Sequence, residues 1–213
     1  MEVKDHRVDM ENVKDARRKI LLTGTCWYEL TGLWHLLSAY GYNVFRKLPG
    51  DFCHVDNPDL TIVALSAEPV AGWGRHLSWI RILRKKIPGK MLVLVPGRLE
   101  NLKILRNICS VYSGAGELSC MVGFVHMMLT RKSEHVGRFR LTQGQRHALK
   151  ILSERGRDRP LNLKNDERSL YWHYAQLAAN VGVRDFRMLL MTGLDREICE
   201  MEDRMYGKQL CVS

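Results

Sequence analysis

Between Arg168 and Val183 the chain reads RSLYWHYAQLAANVGV. Leu170, Tyr174, Leu177 and Val181 recur every three or four residues, a spacing that lines them along one stripe of an α-helix. The side chains off that stripe are Arg168, Ser169, Tyr171, Trp172, His173, Gln176 and Asn180, with Arg184 just beyond. Their chemistry suits a polyanion with readable edges. Arg168 and Ser169 can meet a phosphate or a base, and the free amides of a helix start add phosphate contacts. The carboxamide of Gln176 matches the donor and acceptor on adenine's major-groove edge. A short helix with this outer face fits a major groove. Periodicity alone is equally met by an amphipathic core helix with mixed outer residues.

Other chemistry-bearing residues do not assemble into a known pattern. Pro96-Gly97-Arg98 and Ser113-Gly114-Ala115-Gly116-Glu117 follow candidate strands, but neither is a phosphate loop of the GxxxxGK or GxGxxG kind. They read as turns. His35, His54, His126, His147 and His173 are scattered, with no HExxH among them. Cysteines at 26, 53, 109, 120, 199 and 211 form no CxxC pair and fit no zinc knuckle. Ser66, Ser113 and Cys26 have no base and orienting group nearby in sequence. No metal and no cofactor are expected, and a small α/β enzyme ranks third among the functions considered.

Charge supports the first choice. The 213 residues carry a formal net charge of +10, with a pI near 9.5. Such a balance favours nucleic acid or an anionic membrane. The surplus is densest from 131 to 193, with thirteen Lys or Arg against six Asp or Glu. No run of 18 apolar residues exists, so no membrane partner is expected. The polar start, MEVKDHRVDMENVKDARRK, has no signal-type apolar core, and cytoplasm is the expected location.

The elements that must position these residues fall into two kinds. Residues 1–18 read as a flexible lead. From 19 to 130, strand and helix patterns alternate: strands near 19–24, 42–45, 59–66, 90–95 and 111–113, helices near 29–40, 73–86, 99–109 and 118–130. Ile62-Val63-Ala64-Leu65 is continuously apolar, as in a parallel strand covered on both faces. Alternation of this sort predicts an α/β fold with a mostly parallel sheet and flanking helices. A polar linker is expected over 131–140. Residues 141–213 read as a small all-α domain. Thr142 caps one helix, 155–165 is irregular because of Gly156 and Pro160, and Asn165 or Asp166 caps the next. That helix stops at Gly182, another starts near Arg184 or Asp185, and a last one over 195–205 looks acidic and peripheral.

The segment 141–192 resembles the C-terminal helix-turn-helix domain of LuxR/FixJ-type transcription regulators. Leu141-Thr142 and Ala148-Leu149-Lys150-Ile151-Leu152 stand where that family has Leu-Thr and a Val-Leu-x-Leu-Leu run. Arg168-Ser169-Leu170, His173, Leu177 and Val181-Gly182-Val183 match its recognition helix without a gap. The resemblance implies that Arg168 contacts phosphate. It also implies that Tyr171, Ala179 and Asn180 replace family residues that are usually basic, and that a scaffold helix lies near 156–165, where Pro160 interrupts it. The first half resembles a response-regulator receiver domain. On that resemblance Ala64 takes the phosphoacceptor position, Gly24-Thr25-Cys26 replaces the acidic pair after the first strand, and the switch hydroxyl falls near Val95 or Pro96. A degenerate, phosphorylation-independent receiver is implied.

The expected function is therefore a transcription regulator that binds double-stranded DNA as a homodimer or as a heterodimer with a related regulator. The alternative is an auxiliary protein-interaction module that modulates a partner regulator without touching DNA, favoured by Pro160, Tyr171, Ala179 and Asn180.

Overall fold

In the computed structural model, residues 18–49, 57–106, 108–131, 139–155 and 167–206 are described. The expected 1–18 lead, most of the 131–140 linker, the 156–165 scaffold segment with Pro160, and the Asn165 or Asp166 cap lie outside them or nearly so.

Five strands form one parallel sheet: β1 (Lys19–Gly24), β2 (Asn43–Arg46), β3 (Leu60–Ala64), β4 (Lys90–Val95) and β5 (Ser110–Ser113), in the order β2-β1-β3-β4-β5. Residues alternate between the faces with the period of two that a strand imposes. Ile20, Leu22, Leu60, Ile62, Ala64, Leu92 and Leu94 turn to one side. There α1 (Trp27–Ala39) contributes Leu30, Leu33 and Leu37, and α3 (Leu118–Thr130) contributes Met121, Val125 and Leu129. Leu21, Val63, Leu65, Met91, Val93 and Val95 turn to the other side, against Leu77, Ile80 and Leu83 of α2 (His76–Lys86). Both faces are covered, which is why the strands tolerate no polar alternation. The receiver-like α/β architecture expected from the sequence is present, followed by an all-α region.

Four helices make up that region: α4 (Gln143–Arg155), α5 (Glu167–Val181), α6 (Phe186–Thr192) and α7 (Leu194–Tyr206). Their starts and stops follow side-chain chemistry. Thr142 and Gln145 form a reciprocal capping box: the Gln145 N–H donates to Thr142 Oγ1 at 3.3 Å and the Thr142 N–H to Gln145 Oε1 at 3.0 Å. Asp185 caps α6, its Oδ1 accepting from the Met188 N–H at 2.8 Å. Gly182, at φ +91°, ends α5.

Two expectations are corrected. Residues 99–109 do not form a helix; a single 3₁₀ turn, Gly97–Leu99, is followed by irregular chain. And α7 is not peripheral, because Leu194 and Ile198 are fully buried and belong to the same core as β3, β4 and α2. Leu177, Ala178 and Val181 of α5 and Leu189 of α6 join that core too. Among the described residues no helix is long and apolar enough to cross a membrane.

Candidate nucleic-acid interface

The inner stripe of α5 is buried as its spacing demands. Leu170, Tyr174, Leu177, Ala178 and Val181 face the protein. Tyr174 stacks on Phe186 with ring centroids 4.4 Å apart, fixing α5 against α6. The outer side carries Tyr171, Trp172, Ala175, Gln176 and Ala179, all exposed; Tyr171 and Trp172 are each 58% accessible. Arg168 and Ser169 occupy the first turn of α5, and their side chains lie outside the described residues. Arg184 projects from the α5–α6 turn, 83% accessible, with its Nε 3.0 Å from Asp185 Oδ2. Arg140 is exposed near the start of α4.

Two of the nominated residues turn inward. His173 is half-buried against α4, so close that a Cβ on Gly144 would lie 2.2 Å from its ring. Its Nδ1 is buried without a hydrogen-bond partner among the described residues. Asn180 is half-buried as well, its Nδ2 donating to the Arg140 carbonyl at 3.0 Å and to Gln145 Oε1 at 3.1 Å. It brackets the end of α5 to the capping box of α4, and those bonds already occupy the amide a base edge would need.

The far end of α5 is held by the connection between β4 and β5. The N–H groups of Lys103 and Ile104 donate to the Val181 carbonyl at 2.8 and 3.3 Å, and Lys103 Nζ donates to the Ala179 carbonyl at 3.0 Å. These donors satisfy carbonyls that a helix end leaves open. A second attachment joins the β3–α2 connection to the α6–α7 junction. The Gly72 N–H donates to the Met191 carbonyl at 2.9 Å, and Gly74 lies against the Gly193 backbone.

At the carboxyl ends of β1 and β3, where open α/β sheets hold ligands, Ala64 is fully buried. Two carboxylates stand at this end. Glu29 Oε1 accepts from the Ser66 N–H at 3.1 Å and from Ser66 Oγ at 2.5 Å, and Oε2 accepts from the Ala67 N–H at 3.3 Å. Glu68 accepts from Thr25 Oγ1 at 2.5 Å and from Arg75 at 2.9 Å, with His76 Nε2 3.3 Å away. The Thr25 hydrogen bond, helped by Arg75, holds the Glu68 carboxyl below its ordinary value despite partial burial. Burial holds the His76 imidazole below its own, outweighing the attraction of Glu68. Both carboxylates are thus committed to shaping the Ser66–His76 turn. Among the described residues no cluster of three or more His, Cys, Asp or Glu side chains could hold a metal ion.

No family model and no curated protein matches this chain. Among solved structures it is similar to a fusion of the yeast Spc42 trimeric coiled coil (amino acids 181–211) with another structure. The identity is 16% and the TM-score 0.43, over 53% of this chain and 78% of that one. A likeness this slight assigns neither fold family nor function.

Sequence reasoning singled out neither Glu29 nor Glu68, since each is a lone acid whose meaning depends on which strand ends lie side by side. It also passed over Lys103, which lies 76 positions before the Ala179 whose carbonyl it meets. Only the fold brings these groups together, and no local pattern announces them.

Proposed function

We propose that this protein is a transcription regulator that docks the outer face of α5 on duplex DNA, as a homodimer or with a related regulator, independently of phosphorylation. One observation carries the reading: α5 buries its apolar stripe in the core yet leaves Tyr171, Trp172, Ala175, Gln176 and Ala179 open to solvent. The densest basic surplus of the sequence, residues 131–193, includes this helix. A partner copy is part of the proposal because one short recognition helix reads too few base pairs for selective binding. Phosphorylation independence rests on Ala64, which offers no carboxylate.

The test is retardation of mixed genomic duplexes at several salt concentrations. Binding should weaken steeply with salt, since phosphate contacts release counterions. Gln176→Ala should lower affinity by about 1–3 kcal/mol and relax base preference at one position. Arg168→Ala should weaken binding to all sequences and flatten the salt slope. Absence of retardation, alone and with a candidate partner regulator, would sink the proposal. An acyl-phosphate adduct formed with a small phosphodonor and Mg²⁺ would refute the phosphorylation-independent part.

The second reading, an auxiliary module acting through protein contact, is favoured by Tyr171 and Trp172. Two large rings side by side in solvent suit the anchor positions of a protein interface. On that reading Trp172→Ala abolishes partner binding while Gln176→Ala leaves it intact.

A further inference from the structure

A cleft of about 650 Å³ opens between the β4–β5 connection and the turn from α5 to α6. Arg98, Glu100 and Lys103 stand on one wall; Ala179, Gly182 and Arg184 stand on the other. Its size falls in the range of small-ligand sites. It lies beyond the carboxyl end of β4, on the side of the sheet where α/β folds bind ligands.

The charge in it is uneven. Arg98, Lys103 and Arg184 face one acid of the lining, Glu100, and Asp185 stands beside Arg184. Arg98 is exposed and makes no hydrogen bond or ion pair among the described residues. The Lys103 ammonium donates to the Ala179 carbonyl, has no carboxylate partner among the described residues, and keeps two further donors. Arg184 spends Nε on Asp185, which leaves the rest of its guanidinium fork available. The carbonyls at the end of α5 would repel an anion if open. Three of the last four are not: Ala178 accepts from Gly182 and Val183, Ala179 from Lys103, and Val181 from Lys103 and Ile104.

We infer that this cleft is a phosphate-binding site, with Arg98 and Lys103 on one wall and Arg184 on the other. A phosphate offers acceptor oxygens on all sides, so it can take charge-assisted bonds from both walls at once, as a planar carboxylate cannot. Since the walls belong to different parts of the chain, a bound phosphate ties the α5–α6 turn to the β4–β5 connection and stabilises their contact by linkage. The phosphate can come from a free phosphorylated molecule or from the backbone of a duplex lying along α5. The inference stands on the cleft alone and does not need the DNA reading.

The experiment titrates the purified full chain with pyrophosphate at low ionic strength, by calorimetry and thermal unfolding. Saturable binding with a rising midpoint is expected. Arg98→Gln should weaken it about tenfold or more, as losing a charged hydrogen bond does; Lys85→Gln, at the exposed end of α2, should not change it. Lys103→Gln should act likewise, but it also frees the Ala179 carbonyl, so Arg98→Gln, which breaks no internal bond, is the deciding variant. Unliganded melting of each variant checks the fold. No saturable binding, or Arg98→Gln binding as tightly as the parent, overturns the inference. A short duplex that displaces pyrophosphate identifies the DNA backbone as the source. A duplex that does not, while pyrophosphate still binds, identifies a free phosphorylated ligand and leaves the cleft intact even where retardation by α5 has failed.

Discussion

Replacing Gly182 with Ala tests whether the end of α5 is rooted on the α/β unit. Gly182 sits at φ +91°, where a side chain costs about 1–2 kcal/mol in backbone strain. Its surroundings cost more. A Cβ there would lie 2.0 Å from the Asn101 carbonyl oxygen and 2.6 Å from the Lys103 nitrogen, both backbone atoms that cannot swing aside. The walls must part. Parting them breaks the bonds from Lys103 and Ile104 to the Val181 carbonyl, each worth about 1 kcal/mol net. It also opens the packing of Val181 against its neighbours in the core, which loses about another 1 kcal/mol or more. Gly41 supplies the control: its φ is +83°, yet nothing lies within 4 Å of its Cβ position. Gly41→Ala should therefore cost about 1 kcal/mol and Gly182→Ala about 3–5 kcal/mol. In a chain of this size the difference lowers Tm by roughly 4–16 °C more for Gly182→Ala. Urea unfolding followed by tryptophan fluorescence measures both. Equal costs for the two variants would refute the rooting of α5 on the β4–β5 connection.

Three further outcomes are expected. Stability should fall on acidification in two stages: the unfolded chain takes up His76's proton near pH 6.5 before the folded one does, so stability is full above that value and declines below it; Glu68, held below 4.5 when folded, adds a second loss as pH drops through and beneath 4.5. Urea midpoints from pH 8 to pH 4 check this, and His76→Gln should remove the first decline; an unchanged profile would argue against burial as its cause. Gly144→Ala should push the His173 ring off α4, cost about 1–3 kcal/mol, and shift the emission of Trp172, which packs edge-on to that ring at 5.0 Å. Asn180→Ala should cost about 1–2 kcal/mol by freeing the Arg140 carbonyl and one lone pair of Gln145, while duplex affinity measured well below the melting range stays unchanged; a selective loss of affinity would restore Asn180 to the interface.

What the sequence made legible was whatever local pattern decides. β1, β3 and β4 were readable because burial on both faces demands unbroken apolar runs. The Thr142 cap, the stop at Gly182 and a start near Arg184 or Asp185 were readable because capping is chemistry within a few residues. Residues 99–109 misled for a physical reason. Leu99, Leu102, Leu105 and Cys109 recur at helical spacing and are all buried, but helices from the far end of the chain cover them. The N–H groups of Lys103 and Ile104 go to Val181 instead of to a helix of their own. The periodicity was real burial without a helix beneath it. α7 misled in the opposite direction. Its five acids conceal an apolar pair, Leu194 and Ile198, one turn apart, and Glu202 is buried because Arg146 of α4 meets it at 2.8 Å.

The same facts explain why α5 stands where it does. A parallel sheet needs cover on both faces. One face has α1 and α3. Among the described residues the other has a single crossover helix, α2, and the β4–β5 connection supplies irregular chain where a second would lie. Apolar side chains of β4 and β5's approach would stay wet if nothing else arrived, and α5, α6 and α7 arrive. The stripe that makes α5 amphipathic is therefore a piece of the α/β core, and its burial sets the direction in which Tyr171, Trp172 and Gln176 point. On the proposed reading, a partner seated on that outer face meets Ala179 at the edge of the cleft that Arg98 and Lys103 line. On that reading its affinity depends on how well the β4–β5 connection holds its place, so Gly182→Ala should act on recognition without altering Tyr171, Trp172 or Gln176.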